Sequence, residues 1–209
     1  MMTNTKLLNA ALTYASKGWH IFPVTPNQKI PYGSLVSKGH LNATTSVNQI
    51  TEWWTEAPKA NIRVNLEASG LVCIDVDSYK PDCRFGDFIK DKHLPQTLTQ
   101  KSASGGTHYI FKAYPGDTYP GTLCKGVDVK YNGYILLSSS NFNGRPYEWQ
   151  NDLEPAQAPD WLAKKSPKAI EPVMPTSWLK SLEYQQLIDV IENEGWHGTV
   201  LKLVASLVA

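Results

Sequence analysis

The chain has 209 residues, 42% of them hydrophobic, with 20 basic against 19 acidic side chains and a net charge of +1 at pH 7. This reads as a soluble globular protein with room for one packed domain and a small appendage. No apolar run reaches the roughly 20 residues of a spanning helix, and no signal-peptide pattern opens the chain, so a cytoplasmic location without a membrane partner is expected.

Leu7, Leu8, Ala11, Leu12 and Ala15 recur at helical spacing over residues 3–17 and stop at Gly18, a natural C-terminal cap. "GWHIFPVTP" reads as a short strand, and the turn-rich "NQKIPYGS" follows it. A second helix starts at Ser46, where Gln49 completes a capping box; it carries Val47, Ile50, Trp53 and Trp54 and ends before Pro58. "NIRVNL" and "LVCIDVD", separated by "EASG", are expected to pair as a hairpin. A short helix is expected around "RFGDFIKD", and "GTHYIFKA" alternates as a half-buried strand should. "VDVKYNGYILL" reads as a second hairpin, with Asn132 and Gly133 as its type I′ turn, and "PYEWQ" as one more short strand.

Residues 1–163 are therefore expected to form the main domain. The lysine- and proline-rich stretch 164–175 reads as a linker, and 176–209 as the start of a helical segment that the chain end leaves uncapped, so a longer polypeptide is expected. Cys73, Cys83 and Cys124 are odd in number and irregularly spaced, which fits reduced thiols better than disulfides or a zinc site that would add His93.

The run "VCIDVD" carries the first chemical signal. Strand side chains alternate faces, so Asp75 and Asp77 share one face about 7 Å apart, and two like charges beside an apolar layer call for a counter-charge. In "GVDVK", Asp128 and Lys130 likewise share a face opposite Val127 and Val129. Three carboxylates without a Cys or His pair favour a hard cation, Mg²⁺ or Mn²⁺, over zinc. They are expected to converge on one site, although a lone pair of Asp residues also suits a turn into "SYKPD". In "SASGGTHYIF", the turn Ser104, Gly105, Gly106 offers backbone N–H groups and His108 an imidazole to phosphate oxygen; an ordinary glycine turn with a surface histidine is the competing reading.

In order, "ALTYASKGWHIFPVTPNQKIP", "GHLNATTSVNQITEWWTEAPKANIRV", "SGLVCIDVD", "LPQTLTQKSASGGTHYIF", "GVDVKYNGYILLSSS", "YEWQ" and "APDWL" resemble the primase-polymerase (Prim-Pol) domain of bifunctional DNA primases of plasmids and phages, in the archaeo-eukaryotic primase superfamily. The resemblance runs from about residue 7 to residue 162. It implies an α+β fold of small, mainly antiparallel sheets flanked by helices. It also implies metal binding by Asp75, Asp77 and Asp128, and nucleotide phosphate contact by His108, with Lys130, Ser104, Gly105, Gly106, Lys29 and Ser140 as further nucleotide-binding candidates. The implied activity is template-dependent nucleotidyl transfer on single-stranded DNA from dNTPs or NTPs, with a helicase as a candidate fused domain or partner.

Three departures stand out. Lys130 replaces a frequent Arg, which removes bidentate phosphate gripping; "SSS", Ser138 to Ser140, replaces a "PxS"-like segment; and Arg63 stands where glycine is frequent. A phosphatase with Asp75 as nucleophile is disfavoured, because Tyr79 occupies a position that normally carries a small hydroxyl or valine. A non-catalytic replication initiator or single-strand binder stacking bases on Trp53, Trp54 and Tyr109 is the alternative, disfavoured by retention of all three acids.

Overall fold

The computed structural model describes residues 5–164; the expected linker beyond Lys164 and the helical segment 176–209 lie outside the described residues. The first helix, α1 (Thr5–Ser16), buries Leu7, Ala11, Tyr14 and Ala15 and ends at Gly18, whose φ of 80° only glycine adopts readily. Strand β1 (Ile21–Val24) and a 3-10 turn (Gly39–Asn42) lead to α2 (Val47–Glu56). Ser46 caps α2 by accepting from the Gln49 N–H, but the Gln49 side chain bonds Glu52 instead of reaching back, so half of the capping box forms. Ile50, Trp53 and Trp54 are buried against the sheet, and Trp54 donates its indole N–H to Ala60. Both tryptophans belong to the core and neither is open to stack a base, contrary to the base-stacking alternative.

Next come β2 (Asn61–Asn65), β3 (Leu71–Val76), α3 (Phe85–Ile89), β4 (Leu98–Lys101), β5 (Thr107–Lys112), β6 (Thr122–Cys124), β7 (Val127–Lys130) and β8 (Tyr134–Leu136). Four two-residue strands follow: β9 (Asn141–Phe142), β10 (Arg145–Pro146), β11 (Glu148–Trp149) and β12 (Ala156–Gln157). One sheet has the order β1-β2-β8, with α1 and α2 packed on it. The larger sheet runs β11-β4-β5-β3-β7-β6, and β12 extends the end of β5 in parallel.

Neither expected hairpin forms. Strands β2 and β3 lie in different sheets, as do β7 and β8. The two long segments instead run antiparallel to each other along both sheets: Arg63 faces Leu136 and Cys73 faces Lys130, so ten residues on one segment answer six on the other. The surplus is the turn Glu67–Gly70, which bulges out where the ribbon passes between sheets, and the Leu66 N–H to Gly133 carbonyl bond holds the two segments together there. Gly133 lacks the positive φ of a type I′ turn, so "YNG" is a crossing point.

Alternation along β3 divides the core. Val72, Ile74 and Val76 pack with Phe111, Val127, Val129, Ala158 and Leu162 on one face, while Leu71 and Cys73 join Leu98, Ile110 and the helix-covered core on the other. Asp75 continues the second face.

Candidate active site

On that face, each step of two residues along the strands moves to a new row of cross-strand neighbours. The row Leu98, Ile110, Cys73, Lys130 is followed by the row Gln100, His108, Asp75, Asp128, Thr122, running over β4, β5, β3, β7 and β6. Exposure rises along this polar row: Gln100 is fully buried and His108 nearly so, whereas the side chains of Asp75 and Asp128 are 24% and 46% exposed. It is a polar wall with a buried end and an open end.

Asp75 and Asp128 are direct register partners, and like charges directly opposite each other in a sheet repel. Each carboxylate has a nitrogen donor beside it. Asp75 Oδ1 is 3.3 Å from His108 Nε2, and Asp128 Oδ2 is 2.6 Å from Lys130 Nζ. Burial pushes the Asp75 pKa up, but the hydrogen bond and electrostatic pull of His108, with Lys130 and Lys29 behind them, hold it below the usual carboxylate range.

His108 is held from its other side by Gln100, a residue that carries no motif in the sequence. The Gln100 Oε1 accepts the Ser138 N–H (3.0 Å), and its Nε2 donates to the Leu136 carbonyl (2.7 Å) and faces His108 Nδ1 at 2.8 Å. Two backbone groups thus fix the orientation of the amide, Nδ1 is left to accept, and the imidazole proton sits on Nε2, toward Asp75. The signal that could find Gln100 in the sequence is its place eight residues before His108, across the glycine turn of a strand pair.

Asp77 lies just past β3. Its N–H bonds the Gly126 carbonyl and its carboxylate pairs with Lys80, which is half-exposed. Among the described residues no three His, Cys, Asp or Glu side chains are gathered as a metal cluster. Asp75 and Asp128 meet in register, while Asp77 pairs with Lys80, a lysine that also feels the charge of Asp128. The donor set fits a hard divalent ion all the same, being all oxygen, with two opposed carboxylates whose charges require neutralising.

The glycine turn differs from expectation. The Gly105 N–H goes to the Ser102 carbonyl and the Gly106 N–H to Ser102 Oγ, so neither amide is open to phosphate. Gly106 is required for another reason: a Cβ there would stand 2.7 Å from the Val76 carbonyl oxygen, because the turn presses on the end of β3. Ser104 lies in this turn beside Tyr79, close enough for its side chain to act on the phenol. Ser140 is likewise corrected. It is buried, accepts the Ile62 N–H at 2.8 Å and lies 3.2 Å from the Ile62 carbonyl, so its hydroxyl braces β2. Lys29 is close enough to act on Asp75, with its Nζ 4.6 Å from the centre of the Phe142 ring.

Small, mainly antiparallel sheets flanked by helices define an α+β fold, and one sheet face carries the acid–histidine row. Within that fold class the chain belongs to the Prim-Pol family: residues 11–161 match the family described as bifunctional DNA primase/polymerase, N-terminal, a class of metal-dependent nucleotidyltransferases. No curated protein matches the chain.

Proposed function

We propose that this chain is a template-dependent DNA primase/polymerase that joins nucleotides on single-stranded DNA by a two-metal-ion mechanism, in plasmid or phage replication and alongside a helicase. The observation that carries the reading is the row His108, Asp75, Asp128, fixed by strand register on three adjacent strands. Asp75 and Asp128, with Asp77 at the strand end, are the residues that would hold Mg²⁺ or Mn²⁺. When bound, such ions stabilise the attacking and leaving oxygens of an in-line phosphoryl displacement.

The side chains divide the remaining work. His108 presents Nε2–H to a phosphate oxygen, and Gln100 keeps that proton in place. Lys130 and Lys29 supply positive charge around Asp75 that favours a polyanionic triphosphate. The depressed Asp75 pKa keeps this acid ionised, as an oxygen donor to a cation must be.

Labelled dNTP and NTP incorporation on primed and unprimed single-stranded templates, with Mg²⁺ or Mn²⁺, tests the reading. Asp75→Asn and Asp128→Asn are each expected to lower incorporation by roughly 100-fold or more, the scale of removing one transition-state charge contact. Both variants should still fold: Asp128→Asn trades an exposed ion pair for relief of like-charge repulsion and should unfold near the wild-type temperature, whereas Asp75→Asn loses the net favourable charge that its depressed pKa reports and should unfold somewhat below it. Undiminished incorporation in either variant would refute the assignment.

A further inference from the structure

Arg63 on β2 is a buried cation without a counter-ion. The residue is only 6% exposed, yet Nε and Nη1 have no hydrogen-bond partner, and among the described residues no carboxylate pairs with it. Its guanidinium carbon lies 4.2 Å from the centre of the Tyr134 ring, and the favourable pull of this tyrosine on the charge offsets part of the desolvation while leaving Nε and Nη1 without partners. Guanidinium stays charged in proteins, so this site carries a full positive charge that the fold alone does not neutralise.

Its surroundings indicate what would. Asn61 and Asn65, on the same face of β2, have already given their amides to the carbonyls of Asn141 and His40. Leu136, the register partner of Arg63 on β8, is the residue whose carbonyl takes Gln100 Nε2. Tyr147, whose ring centre is 5.9 Å from that of His108, feels the charges of both Arg63 and Asp75. The orphan cation therefore borders the buried end of the polar row, with Lys29 on the loop above.

We propose that Arg63 is a receptor for a phosphate oxyanion, with Nε and Nη1 as the two donors, so that the ligand completes a charge pair the protein leaves open. The identification of the anion as phosphate rests on the nucleotidyltransferase reading; the need for an anion does not. Phosphate can come from a nucleotide triphosphate or from the DNA backbone, and both sources offer the planar guanidinium two oxygens.

The full chain, Arg63→Met and Arg63→Lys are titrated with inorganic tripolyphosphate and, separately, with a single-stranded oligodeoxynucleotide, both without metal. Arg63→Met keeps the packing on Tyr134 and removes a buried unpaired charge, so its unfolding temperature without ligand should equal or exceed that of the wild type. Its affinity in one arm should fall at least about tenfold, the scale of one or two charge-assisted hydrogen bonds, and Arg63→Lys should recover part of the loss. A loss for tripolyphosphate assigns the site to the nucleotide, and a loss for the oligonucleotide assigns it to DNA. Unchanged affinity in both arms, or a destabilised Arg63→Met with Arg63→Lys equal to wild type, overturns the proposal. Arg63-dependent binding by a chain that incorporates no nucleotide would keep this receptor and remove the polymerase reading; incorporation with Arg63-independent binding would do the reverse.

Discussion

At the scale of single residues, the site depends on which nitrogen of His108 carries the proton. Gln100 decides this through two backbone groups that cannot exchange roles: the Ser138 N–H can only donate and the Leu136 carbonyl can only accept. Gln100→Glu replaces the donating amide by an acceptor, so Nδ1 must then hold the proton. The imidazole 15N resonances of His108 should move from an unprotonated to a protonated Nδ1, and stability should fall by about 1–3 kcal/mol because the Leu136 carbonyl loses its donor. An Nδ1 signal that stays unprotonated in the variant would show that Gln100 does not set the tautomer. Asp75, Asp128 and His108 were legible in the sequence because strand alternation alone places each acid on a face. Gln100 was not, since its importance arises only when β4 is laid beside β5 and the Ser138 loop closes over it.

At the scale of elements, the sequence announced both helices, α3 and most strands, yet misled about pairing. Asn-Gly between two strand patterns is a strong local hairpin signal, but β7 and β8 each find a better partner in another sheet, β3 and β2, where buried apolar faces are satisfied together. Two glycines discriminate between these geometries. Gly133 has nothing within 4 Å of an added Cβ and no positive φ, so Gly133→Ala should be neutral or stabilising by up to about 1 kcal/mol, whereas a type I′ turn would make it destabilising. At Gly106 a methyl group meets the Val76 carbonyl, a backbone atom that cannot swing aside. Gly106→Ala should cost about 1–3 kcal/mol. Urea unfolding of the two variants measures both effects, and a Gly133→Ala protein less stable than Gly106→Ala would contradict the crossing.

At the scale of the whole described domain, the two sheets are joined near the site by side chains. Gln100 reaches Leu136, and the Tyr14 hydroxyl donates to the Ser138 carbonyl and accepts from the Trp149 indole. Tyr147 packs beside His108 at the same junction. Burial pushes the phenols of Tyr14 and Tyr147 up to about 12 each, against about 10 in an unfolded chain. A raised folded-state pKa means that, as pH climbs from 10 toward 12, the unfolded chain sheds these protons while the native one keeps them, so native stability declines with pH across that window and is fully present below it. Two pKa units correspond to at most about 3 kcal/mol per tyrosine. Tyr147→Phe isolates the effect, because among the described residues its hydroxyl has no hydrogen-bond partner to lose at neutral pH. Unfolding free energies by urea at pH 8.5 and 11.5 should show the variant falling less than the wild type by roughly 1–3 kcal/mol. Equal declines in the two proteins would mean that the Tyr147 phenol ionises as freely in the native state as in the unfolded one, and that the junction beside His108 admits water.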